Sequence, residues 1–313
     1  MSDTLHECPE CGKVFLTDLG LRGHSQVHAD RPVLATDGGI ESSDRYHYAL
    51  FSGGHDSLVS THKTMEAGEA ETVLHIDTGI GIPETREYVE EVCDRYGWPL
   101  DVVSSEFEYD EIVKDEQFPG PPIHIIMYSK LKERALRIVA RRHDGKPHFY
   151  TGVRRDESER RFRNLTGEVQ EAKQWVWHAP ILDYSEAAVL GYIERNDLPR
   201  SPVKKTYHHS GECLCGAFGN RTEELVLLEA HYPEVADRIK RLEAEVQEIH
   251  GADDPHSYWA HGGMDDRDLR GKIAENDDAQ MILCASCEAG YSKATDGGNA
   301  RSLHTGSEQE VGQ

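Results

Sequence analysis

The stretch YHYALFSGGHDSLVSTH (residues 46–62) decides how the chain is read. Tyr46–Phe51 is a short apolar run of the kind that forms a strand. It passes without a break into Ser52-Gly53-Gly54-His55-Asp56-Ser57, and Leu58 onward reads as a helix. Two glycines directly after a strand free the backbone to turn sharply and to aim N–H groups at an anion. The helix that follows offers its positive N-terminal end to the same anion, and Ser52 and Ser57 add hydroxyl donors. No G-x-x-x-x-G-K-S/T loop occurs, so this is not the common NTPase cradle. On these residues alone a plain strand-to-helix turn stays open, because Gly/Ser turns are common.

Outward from the loop, short apolar runs alternate with amphipathic stretches. Strands are expected at Tyr46–Phe51, Thr72–Asp77, Leu100–Ser104 and His148–Thr151. Helices are expected at Pro83–Tyr96, Ser129–His143, Ser185–Asn196 and Thr222–Ile249, the last with a possible break near Pro233. Such alternation indicates a parallel sheet of the α/β class. The organisation read from composition is a small unit over 1–28, a Pro/Gly/Ser/Asp-rich linker over 29–45 and an α/β domain over 46–220. A helical region with a second cysteine pair covers 221–291, and a polar, disordered tail covers 292–313. Residues 251–279, acidic and Gly-rich, read as a mobile insert.

The chain has 313 residues, with 34 Lys and Arg against 57 Asp and Glu, a net charge of −23. That balance argues against a chain-wide nucleic-acid surface, which needs clustered positive charge, and is compatible with a local basic groove. Only 12 of the basic residues are Lys. An acidic, Lys-poor chain suits a high-salt, halophilic cytosol; an ordinary acidic enzyme is the alternative. No run approaches the roughly 18 apolar residues of a membrane span, and MSDTLHEC lacks the form of a signal peptide. Six of the 7 cysteines stand in close pairs, a usage that fits metal ligation in a reducing, cytoplasmic compartment better than a disulfide framework.

The first pair opens the spacing C-x2-C-x12-H-x3-H through Cys8, Cys11, His24 and His28. Two thiolates from a knuckle and two imidazoles a helical turn apart can close a tetrahedral Zn2+ site, with Phe15 and Leu21 placed as core residues. This closely resembles the two-cysteine, two-histidine zinc finger family, a small ββα unit. Fingers that read DNA do so from three helix positions, here Thr17, Gly20 and Gly23, and two glycines offer no base-reading side chain. A docking element for a protein, or a weak nucleic-acid tether, is expected rather than a sequence reader.

SGG-x-DS resembles the pyrophosphate-binding loop of the adenine nucleotide alpha-hydrolase superfamily. HIDTGIGIPETREYVEEV (75–92), TGVRRDESERR (151–161) and PILDYSEAAVLGYIERNDLP (180–199) resemble one branch of it, the phosphoadenosine phosphosulfate (PAPS) reductase family, in family order over about 46–220. The resemblance implies a Rossmann-like parallel sheet and places the phosphates on Ser52, Gly53, Gly54, His55, Asp56 and Ser57. It implies Asp77 and Thr78 on the nucleotide or metal side of the pocket, where Mg2+ would accompany ATP. Gly152, Arg154, Arg155, Arg160 and Arg161 form a Gly-turn and guanidinium run expected to bind the anion, since the planar Arg fork bonds two oxygens at once. Asp56, Ser57 and Arg160 are the expected catalytic residues. His55 replaces the Lys often found at that position in ATP-using relatives, which leaves the natural nucleotide, ATP or PAPS, open.

Cys213-Leu-Cys215 and Cys284-Ala-Ser-Cys287 are 68 residues apart. Four thiolates could hold a 4Fe–4S cluster or a second Zn2+. The resemblance supports iron, although the first pair is C-x-C, which does not guarantee ligation geometry. His208 and His209 are substitute ligands. The E-C-G-x-H segment with which thioredoxin-coupled reductases attack sulfate does not occur, and Cys93, on the helix Pro83–Tyr96, reads as structural. The leading expectation is ATP cleavage between the α and β phosphates, with adenylation of an acceptor coupled to sulfur transfer from a sulfur donor, nucleic acid being one candidate acceptor. The alternatives are sulfonucleotide reduction with a thiol reductant, and a non-catalytic nucleotide-sensing adaptor.

Overall fold

The structure is a computed structural model that describes residues 6–7, 14–15, 46–155 and 167–261. Two short strands, β1 (His6–Glu7) and β2 (Val14–Phe15), pair antiparallel. Cys8, Cys11, His24 and His28 lie outside the described residues, as do 29–45 and the tail.

The main body is a six-stranded sheet built from β3 (His47–Leu50), β4 (Thr72–Ile76), β5 (Leu100–Val103), β6 (His148–Tyr150), β7 (Val169–Glu171) and β8 (Val176–His178). Its order is β5-β4-β3-β6-β8-β7, all parallel except β7 against β8. Tyr48, Ala49 and Leu50 are buried, as a central strand covered on both faces requires. On one face Leu50, Leu74, Ile76, Phe149 and Trp177 pack against Ala135, Leu136 and Val139. On the other, Phe51 and Val73 pack against helices α1 (His55–Glu66), α2 (Pro83–Tyr96) and α6 (Glu186–Arg195) through Leu58, Val89, Val92, Val189 and Ile193. The arrangement is the α/β parallel-sheet class expected from the alternation of runs.

Helix boundaries follow local chemistry. Pro83 opens α2 and Gly97, at φ 66°, closes it. Ser185 caps α6 by accepting from the Ala188 N–H at 3.2 Å. Between β5 and β6 lie α3 (Tyr109–Glu116), α4 (His124–Met127), a π-helical turn over Tyr128–Glu133 and α5 (Arg134–Ala140), so the helix expected from Ser129 begins earlier and changes its winding. After α6 come α7 (Pro202–Tyr207), α8 (Arg221–His231) and α9 (Pro233–His250), the last two divided at Pro233. Leu228, Ile239, Leu242 and Val246 share a core with Ile80, Ile82, Tyr109, Phe118 and Leu131.

Residues 251–261, read from composition as part of a mobile insert, are packed instead. Trp259 is 1% exposed, its backbone N–H donates to Glu243 at 2.9 Å, and its indole N–H donates to the Leu214 carbonyl at 2.7 Å. One large indole outweighs the glycines around it, because its burial and two buried hydrogen bonds fix the segment. Residues 262–279 lie outside the described residues. Trp259→Ala is expected to destabilise the chain by about 3–5 kcal/mol, read as a lower denaturation midpoint in urea.

Candidate functional site

The strand order reverses direction between β3 and β6, and open α/β sheets bind ligands at such a switch point, beyond the carboxyl ends of the strands. A pocket lies there. Its walls are Ser52, Gly54, His55, Asp56 and Ser57 after β3, Thr151, Gly152 and Val153 after β6, and Leu50, Leu74 and Ile76 from the strands. Lys132 of the π turn, Lys204 of α7, and Ser210 and Glu212 complete it. The cavity measures about 100 Å3 and is partly open to solvent.

The loop is shaped as an anion cradle. Gly53 sits at φ +81°, and a Cβ there would meet Thr85 Cγ2 at 2.7 Å. Gly54 precedes α1 without a side-chain cap, and the first-turn N–H groups of a helix have no intrahelical acceptor. The Ser52 hydroxyl donates to Ser57 Oγ at 3.1 Å, and Ser57 donates to the Gly54 carbonyl at 3.0 Å. Both hydroxyls can rotate to an arriving anion. Gly152 is required by close approach: a Cβ would lie 2.6 Å from both Asp56 C and Ser57 N.

The expected anion-binding arginines have other occupations. Arg154, 6% exposed, donates from Nε to Asp56 Oδ1 at 2.8 Å and from Nη2 to Oδ2 at 3.4 Å. Arg155 donates to Asp183 at 2.5 Å. Arg160 and Arg161 lie outside the described residues. Asp77 accepts from the Gly79 N–H at 2.9 Å and from Arg86 at 3.3 Å, while Thr78 donates to the Glu212 carbonyl at 2.9 Å. Neither Asp77 nor Thr78 lines the pocket just described. Burial holds the His55 imidazole down at about 4, helped by the charge of Lys204 and opposed by Asp56, so it is neutral at neutral pH.

Thr78 belongs to a second construction. The Ile82 N–H donates to the Gly211 carbonyl at 2.7 Å and the Leu214 N–H to the Ile80 carbonyl at 3.1 Å, so 78–82 and 210–214 run stitched together. Thr85 donates to the Ser210 carbonyl at 2.7 Å. The stitching brings Cys213 and Cys215 beside the pocket wall formed by Ser210 and Glu212. Glu212 accepts from Lys132 at 2.7 Å, and both side chains are buried, 6% and 7% exposed. The Cys213 thiol is lowered to about 7, first by the hydrogen bond from Cys215 and also by the Lys132 charge, against burial and Glu212. Burial pushes the Cys93 thiol far up, in keeping with a structural role. Cys284 and Cys287 lie outside the described residues, and among the described residues no group of three or more His, Cys, Asp and Glu is placed to hold a metal ion. His208 takes the left-handed conformation after α7, at φ 66°, and His209 lies edge-on to the Tyr207 ring.

Sequence reasoning missed Lys132, Lys204, Ser210 and Glu212. Of these only Glu212, beside Cys213, carried a signal in the sequence.

The model of the phosphoadenosine phosphosulfate reductase domain matches residues 47–215, more than half of the chain. This chain belongs to the phosphoadenosine phosphosulfate reductase domain family. It is 26% identical over 154 residues to the phosphoadenosine 5'-phosphosulfate reductase of Alkalilimnicola ehrlichii, covering 49% of this chain and 62% of that protein. It is 25% identical over 203 residues to an uncharacterized protein of Methanocaldococcus jannaschii, covering 64% of this chain and 42% of that one. Less than two thirds of either relative is therefore matched. Among solved structures, the PAPS reductase of Candida auris in its phosphate complex is similar at 18% identity and a TM-score of 0.39, over 51% of this chain and 76% of that one. The U34-tRNA thiolase NcsA of Methanococcus maripaludis is similar at 15% identity and a TM-score of 0.37, over 91% and 96%.

Within this PAPS reductase-family fold the switch-point geometry generates two expectations. Gly152→Ala drives a methyl into the first turn of α1 and is expected to lower stability by about 1–3 kcal/mol and to weaken anion binding, measured by urea denaturation and by titration with pyrophosphate. His55 and His178 are both held at about 4, below the ordinary 6.5. The unfolded chain takes these protons first, so their effect is absent above 6.5 and stability is lost as pH falls from 6.5 through about 4. His178→Gln is expected to make that loss shallower in a series of urea midpoints.

Proposed function

We propose that this chain is an adenine-nucleotide enzyme of sulfur chemistry that cleaves ATP between the α and β phosphates. The observation that carries the reading is the meeting of two features on one pocket: the Ser52–Ser57 cradle, and the wall at Glu212 that leads directly into Cys213, the thiol lowered to about 7. The cradle's N–H groups and hydroxyls hold the pyrophosphate part of the nucleotide; Mg2+ bound with ATP would neutralise part of the remaining phosphate charge. An acceptor oxygen or nitrogen attacks the α-phosphorus, the bond to the bridging oxygen breaks, pyrophosphate leaves and the acceptor's proton passes to water. A sulfur nucleophile from a sulfur donor then displaces AMP from the activated acceptor. The Asp56–Arg154 pair positions the first turn of α1 for this and stays out of the chemistry.

Cys213 and Cys215 fit a ligand pair, close enough to share a hydrogen bond and with one thiol poised to ionise. With Cys284 and Cys287 they would hold a 4Fe–4S cluster, which would supply a sulfur- or electron-carrying centre at the pocket edge; Zn2+ on the same thiolates would be structural. The finger residues Cys8, Cys11, His24 and His28, holding Zn2+, would bring a nucleic-acid or protein partner.

The family match and the A. ehrlichii relative favour a second reading, reduction of PAPS or adenosine phosphosulfate by a thiol reductant with release of sulfite. Turnover separates the two. On the first, purified protein releases pyrophosphate from ATP, and Ser57→Ala slows the release by about 10-fold or more, the scale of one lost charge-assisted hydrogen bond. Sulfite formed from PAPS without any pyrophosphate release from ATP would establish the second and remove the first.

A further inference from the structure

Accounting for the charged groups of the described residues that line the pocket leaves one cation over. Arg154 is engaged by Asp56 at 2.8 and 3.4 Å, Lys132 by Glu212 at 2.7 Å, and Arg155 by Asp183 at 2.5 Å. These pairs neutralise both carboxylates that line the cavity, Asp56 and Glu212. Lys204 also lines it, half-buried, from α7. Its ammonium makes no hydrogen bond or ion pair among the described residues; the bonds made at this position involve the backbone, with the N–H donating to the Ser201 hydroxyl at 3.2 Å. In a chain with 57 acidic residues against 34 basic ones, an uncommitted cation facing a cavity is a local excess of positive charge. Its neighbour Lys205 is exposed and lies outside the lining.

We infer that Lys204 clamps the oxyanion of the bound ligand, reaching from α7 across the pocket to the phosphate or sulfate group held by the Ser52–Ser57 loop. The inference deepens the nucleotide reading above and rests on it for the identity of the ligand. A lysine suits the task because its flexible stem carries a point charge with three donors that can follow an anion of varied shape. Bonds from an ammonium to a phosphate oxygen are charge-assisted and roughly twice as strong as neutral ones. Burial and, after it, the Lys204 charge disfavour the charged form of His55, which lines the same pocket. The pocket thus holds one mobile positive charge and a neutral imidazole, in place of two cations that would repel each other while the site is empty of anion.

The test is titration calorimetry of the full chain with inorganic pyrophosphate, ATP and adenosine. Lys204→Met keeps the aliphatic stem and removes the charge, and Lys205→Met controls for general surface charge. Lys204→Met is expected to weaken pyrophosphate and ATP by about 10- to 100-fold and to leave adenosine and the thermal midpoint unchanged, while Lys205→Met alters none of them. Adding His55→Lys to Lys204→Met should restore at least part of the loss, because it returns a cation to the pocket lining. Unchanged pyrophosphate and ATP affinity in Lys204→Met would overturn the inference and leave the nucleotide reading standing, as would an equal loss for adenosine. Pyrophosphate binding that depends on Lys204, in a protein that does not distinguish ATP from pyrophosphate, would keep the clamp and remove the adenine nucleotide. A wild-type chain that binds neither pyrophosphate nor ATP would overturn both.

Discussion

The fork between Arg154 and Asp56 is the interaction on which the site depends. It joins the first turn of α1, directly after β3, to the segment after β6, and so bridges the place where the sheet reverses its order. The same guanidinium donates to the Tyr184 carbonyl at 3.4 Å, just before α6. With the two side chains 8% and 22% exposed, loss of one partner strands the other in a poorly solvated place, a penalty of about 3–5 kcal/mol for buried pairs. Gly152 sits under this fork, where only a residue without a Cβ lets the two backbones touch. The guanidinium is thereby committed to a carboxylate of the same domain.

The second organising element is the stitched pair of segments 78–82 and 210–214. It gives the motif after β4 a job different from the one its position suggests. Its glycine and threonine hold a thiol-bearing loop in place: a Cβ at Gly81 would lie 2.7 Å from the Glu212 carbonyl oxygen. The loop after β3 and the segment that carries Cys213 and Cys215 are thereby fastened to the neighbouring strands β3 and β4 of one sheet.

Much of this architecture is legible in the amino-acid sequence. The alternation of runs indicates the α/β class, the strand–SGG–helix passage locates the cradle, and Pro233 marks the division between α8 and α9. What escapes such a reading does so for physical reasons. Strands β7 and β8 are three residues each, too short for period-two patterning to register, and β7 exposes Val169 and Glu171. The Arg run resembles an anion site because sequence shows charge and not its partner; Asp56 and Asp183 are 98 and 28 residues away from the arginines they engage. Lys132 is hidden for another reason. Within the π turn it stands at helical spacing from the buried Tyr128, Ala135 and Leu136, and nothing in the sequence marks Glu212, 80 residues on, as its partner.

That turn also constrains how the chain can vary in length. A π turn closes its hydrogen bonds over one residue more than an α turn, so the winding over Tyr128–Glu133 behaves like a tolerated insertion within a longer helix. Removing one residue there would return the segment to regular α geometry with its flanks still facing the same way, where the same loss from an unbroken α-helix would swing one flank by about 100°. Ala135, Leu136 and Val139 cover the sheet from the regular helix that follows. A single-residue change of length at this turn therefore leaves that covering face in register.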